Sequence, residues 1–506
     1  MLRFKSEKRN LMSTRKIGFA LAIIGVVGAL TSILVDALGF GDGGIQAAQI
    51  LGIVAGLMLA VFGLTVALQV PERRIDIGSS LRAGIERLFR LPVSVWFLIG
   101  FLVAYVLLFV LPVFLNTDRS MVYFNRFIPN MNPIGADMNY TLDYVKSWVT
   151  TRQSPYPDSH YPPLTYVLLS PLTLFEYPAS YAVTTFLTLF SYIILTLLIP
   201  VLFNPKSNFS LTVLLAVTGL FSYGFQFELE RGQYYSVAFL LCMLAIYLFH
   251  RHYEFRYLAY VLFSFSVHLK IVPIFFLPMF IKDWRDWKGN LKRMAGLGLL
   301  NLALLFVLGY RSLVNFLEAL LFRVETPTFL WNGNHSLANF VFNFVQDGYG
   351  LFSEATVLFL QQNANLFEWS LLIIILLCLF SIIFFMYKNG RGGFNPYLLL
   401  VCTLCALIIP VSVDYTLPML VAPLAIFLGS APGLIGSPVR KFMSILLVLT
   451  ISLAYASLLY PFKYKPYFLN NSFPALFLIL VAVTLYYFLQ GKNSKEFISA
   501  TPAIGE

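Results

Sequence analysis

Charged side chains are scarce in this chain of 506 residues. Asp, Glu, Lys and Arg make up 12% of it, against about 25% in an ordinary soluble domain. Apolar residues make up 58%, whereas a disordered chain combines low hydrophobicity with high charge. The composition therefore excludes a typical soluble protein and a disordered one. It supplies enough apolar residues for a dozen membrane-spanning helices of roughly 20 residues each.

Cysteine is equally scarce, and its positions give no sign of a disulfide framework. All four cysteines lie in apolar runs: Cys242, Cys378, Cys402 and Cys405. The last two have the C-x-x-C spacing of a redox or zinc motif, but no second pair of ligands is nearby in the sequence. Packing is therefore the predicted role of these residues.

Apolar runs of spanning length predict twelve transmembrane helices. They lie at about 17–38, 47–70, 93–115, 178–202, 210–226, 234–250, 294–310, 369–387, 396–412, 416–432, 442–460 and 473–489. If the N-terminus is cytoplasmic, the inner segments carry 25 Lys and Arg and the outer segments 9. Cytoplasmic loops are enriched in these residues. We therefore expect both termini to be cytoplasmic, and we interpret the net charge of +11 as an orientation signal that implies no nucleic acid.

Three further segments do not fit as simple spans. Residues 162–176 are too short, and we expect a half-helix or an interfacial helix on the outer side. Residues 257–281 lie between two basic inner loops, so we expect a hairpin of two short helices that turns near Lys270 and Pro273. Residues 73–91 are cationic and amphipathic, which predicts a stretch lying on the inner leaflet.

The sequence predicts three regions. Residues 1–92 contain two N-terminal spans and the amphipathic stretch, residues 93–430 form the central module, and residues 431–506 contain the last spans and a cytoplasmic tail. The long outer loops of the central module, 116–161 and 311–368, are the expected location of a functional site, because long loops without linker composition are usually functional.

A helix is predicted to begin near Asp137 in the first long loop. Met138, Leu142, Val145 and Val149 would share its apolar face. Asp137 would lie at its N-cap, where Asp is a favoured residue, and a carboxylate there could also face a cavity.

Several motifs in order resemble the GT-C class of integral membrane glycosyltransferases, and family 87, the polyprenyl-phosphate-mannose-dependent type, in particular. After Asp137 come SPYP (154–157) and YPPLTYVLLSPL (161–172). They are followed by RGQYYSVAFLL (231–241), HLKIVPIFFLP (268–278), NGNHSLANF (332–340) and DYTLPML (414–420). The resemblance covers about 93–430. It implies an all-α GT-C fold of about 12 transmembrane helices with short re-entrant or interfacial helices.

The resemblance also implies a reaction. A hexose, with mannose favoured, would move with inversion from a polyprenyl-phosphate donor to a hydroxyl group of a lipid or glycan acceptor. The family's catalytic Asp corresponds to Asp137, which would be the general base. The leaving phosphate needs positive charge or hydrogen-bond donors, so we expect no metal and no cofactor.

Four residues are candidates for contact with the donor phosphate. His335 and Asn334 lie in the stretch that resembles the family's donor-side loop, although a lone His is often structural. Lys270 lies in an apolar hairpin, where a charge is expensive and marks a functional candidate, with snorkelling or an ion pair as the alternative. Arg231 could instead form a local ion-pair cluster with the nearby Glu228 and Glu230.

Candidates for acceptor or sugar contact are Tyr156, His160, Tyr161 and Gln233, since aromatic rings and polar groups suit sugar faces and edges. Interfacial aromatic residues are common without such a role.

The sequence gives weaker reasons to place other polar residues in the site. Asp118 is a reserve candidate for the base. Asp143 is expected to face away from the site, and His268 is a minor candidate. Asp414 is consistent with placement at the membrane interface.

The sequence therefore predicts a multi-pass glycosyltransferase in a bacterial or archaeal plasma membrane, with its site facing outward and membrane lipids around it. Two alternatives stay open. One is a lipid-linked sugar flippase or transporter, and the other is an outer-face polysaccharide polymerase or ligase.

Overall fold

The computed structural model describes the chain in segments. They are 11–13, 19, 23–24, 26–27, 74–76, 91–107, 134–156, 159, 161–204, 209–325, 333–347, 353–389, 392–430, 438–460 and 471–491. The chain divides into two compact units. Unit 1 comprises Met1–Leu91 with Leu111–Thr117, and unit 2 comprises Pro92–Val110 with Asp118–Glu506.

Unit 1 contains an antiparallel pair of short strands, β1 (Leu11–Ser13) and β2 (Arg74–Asp76). Met12 pairs with Ile75 at its centre. The strand β2 replaces the first part of the amphipathic stretch predicted for 73–91, and residues 77–90 of that stretch lie outside the described segments. The two predicted N-terminal spans also fall almost entirely outside them.

Unit 2 is built from α-helices. They are α1 (Val93–Tyr105), α2 (Ala136–Thr151), α3 (Pro163–Leu169), α4 (Tyr177–Ile193), α5 (Ile199–Phe203), α6 (Phe209–Leu220), α7 (Tyr223–Arg231), α8 (Tyr235–Arg251), α9 (Arg256–Leu269), α10 (Trp287–Leu305), α11 (Tyr310–Glu325), α12 (Leu337–Asp347), α13 (Glu354–Gln362), α14 (Ala364–Lys388), α15 (Pro396–Ile408), α16 (Val421–Ser430), α17 (Pro438–Leu458) and α18 (Phe473–Gly491). Short 3₁₀ segments occur at Ser170–Leu174, Tyr253–Phe255, Val272–Phe280 and Asp414–Leu420, and a π-helical turn at Ile194–Leu198 joins α4 to α5.

Three helices in the described segments are long and apolar enough to cross a membrane. They are Tyr177–Phe203, Ala364–Lys388 and Lys441–Leu458. Two bent helix pairs raise the number to five if each pair is one span: Phe209–Leu220 with Tyr223–Arg231, bent by 50°, and Trp287–Leu305 with Tyr310–Leu321, bent by 103°. The chain is thus a helical membrane protein, while the twelve spans and the cytoplasmic termini stay predictions.

The hairpin expected in residues 257–281 is present in the structure. Helix α9 ends at Leu269, Lys270 has an extended backbone (φ −147°, ψ 129°), and a 3₁₀ helix follows from Val272 to Phe280. The rings of Phe263 and Phe280 lie 4.5 Å apart between centroids, so the chain returns along α9. The turn therefore falls at Lys270, as the sequence predicted.

The short helix expected in residues 162–176 is present, because α3 has only 7 residues before it tightens into the 3₁₀ segment Ser170–Leu174. Its placement on the outer side stays a prediction. Its residues Tyr166 and Leu169 join a buried cluster with Met138, Leu142 and Val145 of α2. The predicted apolar face of α2 is correct for these three residues and wrong for Val149, which is 40% exposed. Helix α2 is therefore fixed to the body of unit 2 by its first two and a half turns.

Candidate active site

Two glycines bring the start of α2 against the turn between α7 and α8. Gly135 (φ 77°) precedes α2, and Gly232 (φ 66°) ends α7; both have left-handed backbones, which glycine adopts without a Cβ penalty. The Gly135 N–H donates to the Glu230 carbonyl at 2.7 Å. A Cβ on Gly232 would lie 2.6 Å from the Met138 Cβ. Only glycine allows this close approach, which places Asp137 beside the residues around Gly232.

The Asp137 carboxylate binds two side chains from that turn. Its Oδ2 accepts a hydrogen bond from Gln233 Nε2 at 2.7 Å, and its Oδ1 accepts one from Arg231 Nη1 at 3.4 Å. Its side chain is 29% exposed. The expected N-cap role is wrong, because Gly135 is the N-cap residue and it makes no side-chain cap. The carboxylate therefore engages two donors and keeps an accessible edge.

Lys270 lies behind Gln233 and is only 3% exposed. Its Nζ donates to Gln233 Oε1 at 2.5 Å and to the Tyr161 hydroxyl at 3.0 Å. The rings of Tyr161, Tyr234 and Tyr235 lie 4.3–4.4 Å from Nζ, at a distance where a ring face attracts a cation. Snorkelling to water does not occur, and the buried charge is stabilised by these rings and oxygens.

Arg231 pairs with Asp137 at 3.4 Å, and Glu228 of the predicted local cluster has other partners. Glu228 is fully buried and accepts from Ser236, from N at 2.7 Å and from Oγ at 2.8 Å. The Arg231 guanidinium carbon lies 5.2 Å from the Phe227 ring centroid. Its Nε is buried without a hydrogen-bond partner in the described segments. Arg231 thus has donor capacity beside the base candidate.

His335 and Asn334 belong to a second polar group, which is buried. His335 is 0% exposed, and its Nδ1 lies 3.2 Å from Asp414 Oδ1 and its Nε2 3.3 Å from Thr416 Oγ1. Asn334 forms a β-bridge with Val413. Asp414 is 3% exposed and buried against His335, while its expected placement at the membrane interface stays a prediction. The group ties the segment before α12 to the Asp414–Leu420 helix.

Aromatic rings connect the two polar groups. The Tyr415 ring lies 5.3 Å from the Tyr235 ring and 5.6 Å from the Phe227 ring. Tyr235 borders Lys270 and Phe227 borders Arg231. The His335 group therefore supports the wall of the Asp137 site from behind.

The remaining sugar-site candidates have different environments. Tyr156 is 7% exposed and its hydroxyl donates to the Tyr161 carbonyl at 2.7 Å, while the Tyr161 ring faces Lys270. His160 lies outside the described segments, as do Asp118 and Asn332. His268 is 2% exposed, and its carbonyl accepts from the Thr165 hydroxyl. Asp143 is exposed on α2.

Metal-binding arrangements are not found in the described part of the chain, where no three His, Cys, Asp or Glu side chains lie together in a suitable group. The expectation of a metal-free reaction stays a prediction. The four cysteines are free and buried, in agreement with packing.

Sequence reasoning selected Asp137, Arg231, Gln233 and Lys270 separately and missed their connection. It also missed Tyr234 and Tyr235, which complete the enclosure of Lys270, and the pairing of Asp414 with His335. The signal for the tyrosines was present, since they directly follow Gln233 in RGQYYS. No sequence signal indicated the pairing across 79 residues.

Comparison with known families assigns the chain to a class of sugar-transferring membrane enzymes. Residues 160–412 match the family model of glycosyltransferase family 87, so the chain belongs to glycosyltransferase family 87. The matched range includes Arg231, Gln233, Lys270, Asn334 and His335, and Asp137 precedes it. No curated protein and no solved structure matches the chain.

Proposed function

We propose that this glycosyltransferase moves a hexose, with mannose favoured by the resemblance, from a polyprenyl-phosphate donor to a hydroxyl group of a lipid or glycan acceptor. The observation that carries the proposal is the Asp137 carboxylate, partly exposed and held by Gln233 and Arg231. A general base must reach the proton that it removes, and a partly exposed carboxylate can do so.

The reaction is a single displacement with inversion. The acceptor oxygen attacks the anomeric carbon and its proton moves to Asp137. The bond from the anomeric carbon to the phosphate oxygen breaks, and polyprenyl phosphate leaves as a monoester. Neither a metal nor a cofactor takes part, because polyprenyl phosphate is already a good leaving group.

The negative charge that develops on the leaving phosphate needs donors close by. Arg231 suits this role because its guanidinium lies beside Asp137 and its side chain is 27% exposed. Lys270 is enclosed behind Tyr161 and Gln233 and does not contact the phosphate in this proposal. His335 and Asn334 are buried and support the donor side from behind Tyr415. Tyr161 borders the sugar, Tyr156 holds Tyr161 in place through its carbonyl, and His160 stays a candidate from the sequence.

The site faces the outside of a bacterial or archaeal plasma membrane in this proposal. The excess of cations in the predicted inner segments supports that orientation. Membrane lipids surround the protein, and nucleic acid is not a partner.

The test uses the purified protein in liposomes with a radiolabelled polyprenyl-phosphate hexose and an extract of lipid and glycan acceptors. The expected result is a labelled product whose new glycosidic bond has the opposite anomeric configuration to the donor, as determined by NMR. Retention of configuration would contradict direct displacement. Movement of the donor between leaflets without a product would support the flippase alternative. Processive addition of many sugars would support the polymerase alternative.

A further inference from the structure

The Gln233 side chain connects a buried cation to the proposed base. Its Oε1 accepts from Lys270 Nζ at 2.5 Å and its Nε2 donates to Asp137 Oδ2 at 2.7 Å. Gln233 is 3% exposed and so is Lys270. The three side chains therefore form a short chain of hydrogen bonds that reaches the accessible edge of Asp137 from inside the protein.

Lys270 and Asp137 together fix the orientation of the Gln233 amide. An ammonium group has donors and no acceptor, whereas an amide has both. Because Lys270 can only donate, it holds Oε1 toward itself, and the amide must then present Nε2 to Asp137. The Asp137 carboxylate only accepts and favours the same orientation, so Lys270 adds a second hydrogen bond that holds the far end of the amide in place.

The surroundings of Lys270 argue against direct contact with a donor phosphate. Three tyrosine rings enclose its Nζ, and two oxygens accept hydrogen bonds from it. A phosphate could reach the ammonium group only by displacing one of these rings. In contrast, Asp137 and Arg231 each have more than a quarter of their side-chain surface exposed, at 29% and 27%.

We propose that Lys270 is a positioning residue that acts on the reaction through Gln233. It fixes the amide so that Nε2 holds Asp137 Oδ2, which leaves Oδ1, the oxygen beside Arg231, to accept the proton of the acceptor hydroxyl. The kinetic consequences of this inference rest on the proposed function. The hydrogen-bond chain itself can be tested without turnover.

The kinetic test combines Lys270→Met, Gln233→Met and the double variant in the liposome assay. Removal of a charge-assisted hydrogen bond is worth about 10–100-fold in rate, so each single variant should lower kcat by about that factor with a donor KM within about threefold of wild type. Residues that act in series are not additive. The double variant should therefore fall no more than about threefold below Gln233→Met.

One control replaces a similar lysine away from the site, and the other keeps the positive charge at position 270. Lys282 also lies over a tyrosine ring, with its Nζ 3.8 Å from the Tyr253 centroid, and Lys282→Met should leave kcat and KM unchanged. Lys270→Arg keeps a side chain that only donates and should recover at least a third of the kcat lost in Lys270→Met. A donor KM raised tenfold in Lys270→Met, or multiplied losses in the double variant, would overturn the positioning role.

The test without turnover is the rate at which a water-soluble carbodiimide modifies Asp137, followed by mass spectrometry in the absence of substrate. Asp137 should react several-fold faster in Lys270→Met and Gln233→Met than in wild type and Lys270→Arg, because Gln233→Met removes the donor to Oδ2 and Lys270→Met removes the hydrogen bond that holds this donor in place. Exposed Asp143 serves as the internal reference.

Equal reaction rates in all four proteins would overturn the hydrogen-bond chain. If wild type transfers no hexose, the proposed function fails while the labelling rates still decide the role of Lys270. Size-exclusion profiles identify any variant that does not fold. If Lys270→Met does not fold, Lys270→Arg provides the comparison. Asp137 in Lys270→Arg should react as in wild type, and a rate altered as in Gln233→Met would contradict the hydrogen-bond chain.

Discussion

The side chains at the site show how far residue chemistry can be predicted from the sequence. A lysine in an apolar hairpin and an aspartate at the start of an outer-loop helix are unusual enough to be selected individually. Their connection through Gln233 could not be predicted, because Asp137 and Gln233 are 96 residues apart and Lys270 is 37 residues further on. Gln233 itself was assigned to the sugar, and its contacts now include both charged residues.

The His335–Asp414 pair gives a prediction at the same scale. Asp414→Ala removes the oxygen 3.2 Å from His335 Nδ1 and leaves a fully buried polar atom without that partner. An unsatisfied buried group costs about 1–3 kcal/mol, so the thermal unfolding midpoint in detergent, measured by intrinsic fluorescence, should fall by about 1–3 °C. Asp143→Ala, on an exposed part of α2, should leave the midpoint unchanged, and equal midpoints for the two variants would contradict the pairing.

At the scale of elements, the loop charges predicted the hairpin better than apolar length could. The basic loops on either side of residues 257–281 are both predicted to be inner, so the chain between them must cross the membrane an even number of times. Helix α9 and the 3₁₀ helix that returns along it agree with that requirement. The contact of α2 with the turn after α7 was beyond prediction. It depends on left-handed backbones at Gly135 and Gly232, and a glycine in a sequence does not reveal its φ angle.

Gly232→Ala tests that contact between elements. A left-handed backbone costs a non-glycine residue roughly 1–2 kcal/mol, and the new Cβ would lie 2.6 Å from that of Met138. The variant should unfold at a lower temperature and lose most of its transfer activity, because α2 and Asp137 must move away from Arg231 and Gln233.

The matched control is Gly298→Ala in α10, where nothing lies within 4 Å of the added Cβ. It should be neutral or slightly stabilising, since Ala is the better helix former. Equal effects of the two substitutions on unfolding and on activity would contradict the close approach at Gly232.

At the scale of the whole molecule, composition predicted a helical membrane protein, and family membership agrees. The number of spans was less predictable. Several predicted runs correspond to helices of 10–17 residues, such as Tyr235–Arg251 and Pro396–Ile408, which are shorter than a bilayer requires of an isolated helix. Hydropathy does not indicate whether an apolar run forms one continuous helix.

The predicted orientation can be tested with single cysteines in the native background, because the four native cysteines are buried. Asp143→Cys lies on an exposed part of the outer-loop helix and Lys288→Cys on an exposed part of a predicted inner segment. A membrane-impermeant maleimide should label Asp143→Cys in intact cells and Lys288→Cys only after permeabilisation. The reverse pattern would contradict the outward-facing site.

The central claim is that Asp137 is the general base of hexose transfer. The most direct measurement is the single-turnover rate of transfer from radiolabelled polyprenyl-phosphate hexose by Asp137→Asn, with Asp143→Asn on the same helix as the control. Since a general base contributes about 10²–10⁴-fold, Asp137→Asn should be slower by at least a hundredfold, and Asp143→Asn should match wild type. A rate for Asp137→Asn within about threefold of wild type would contradict the claim.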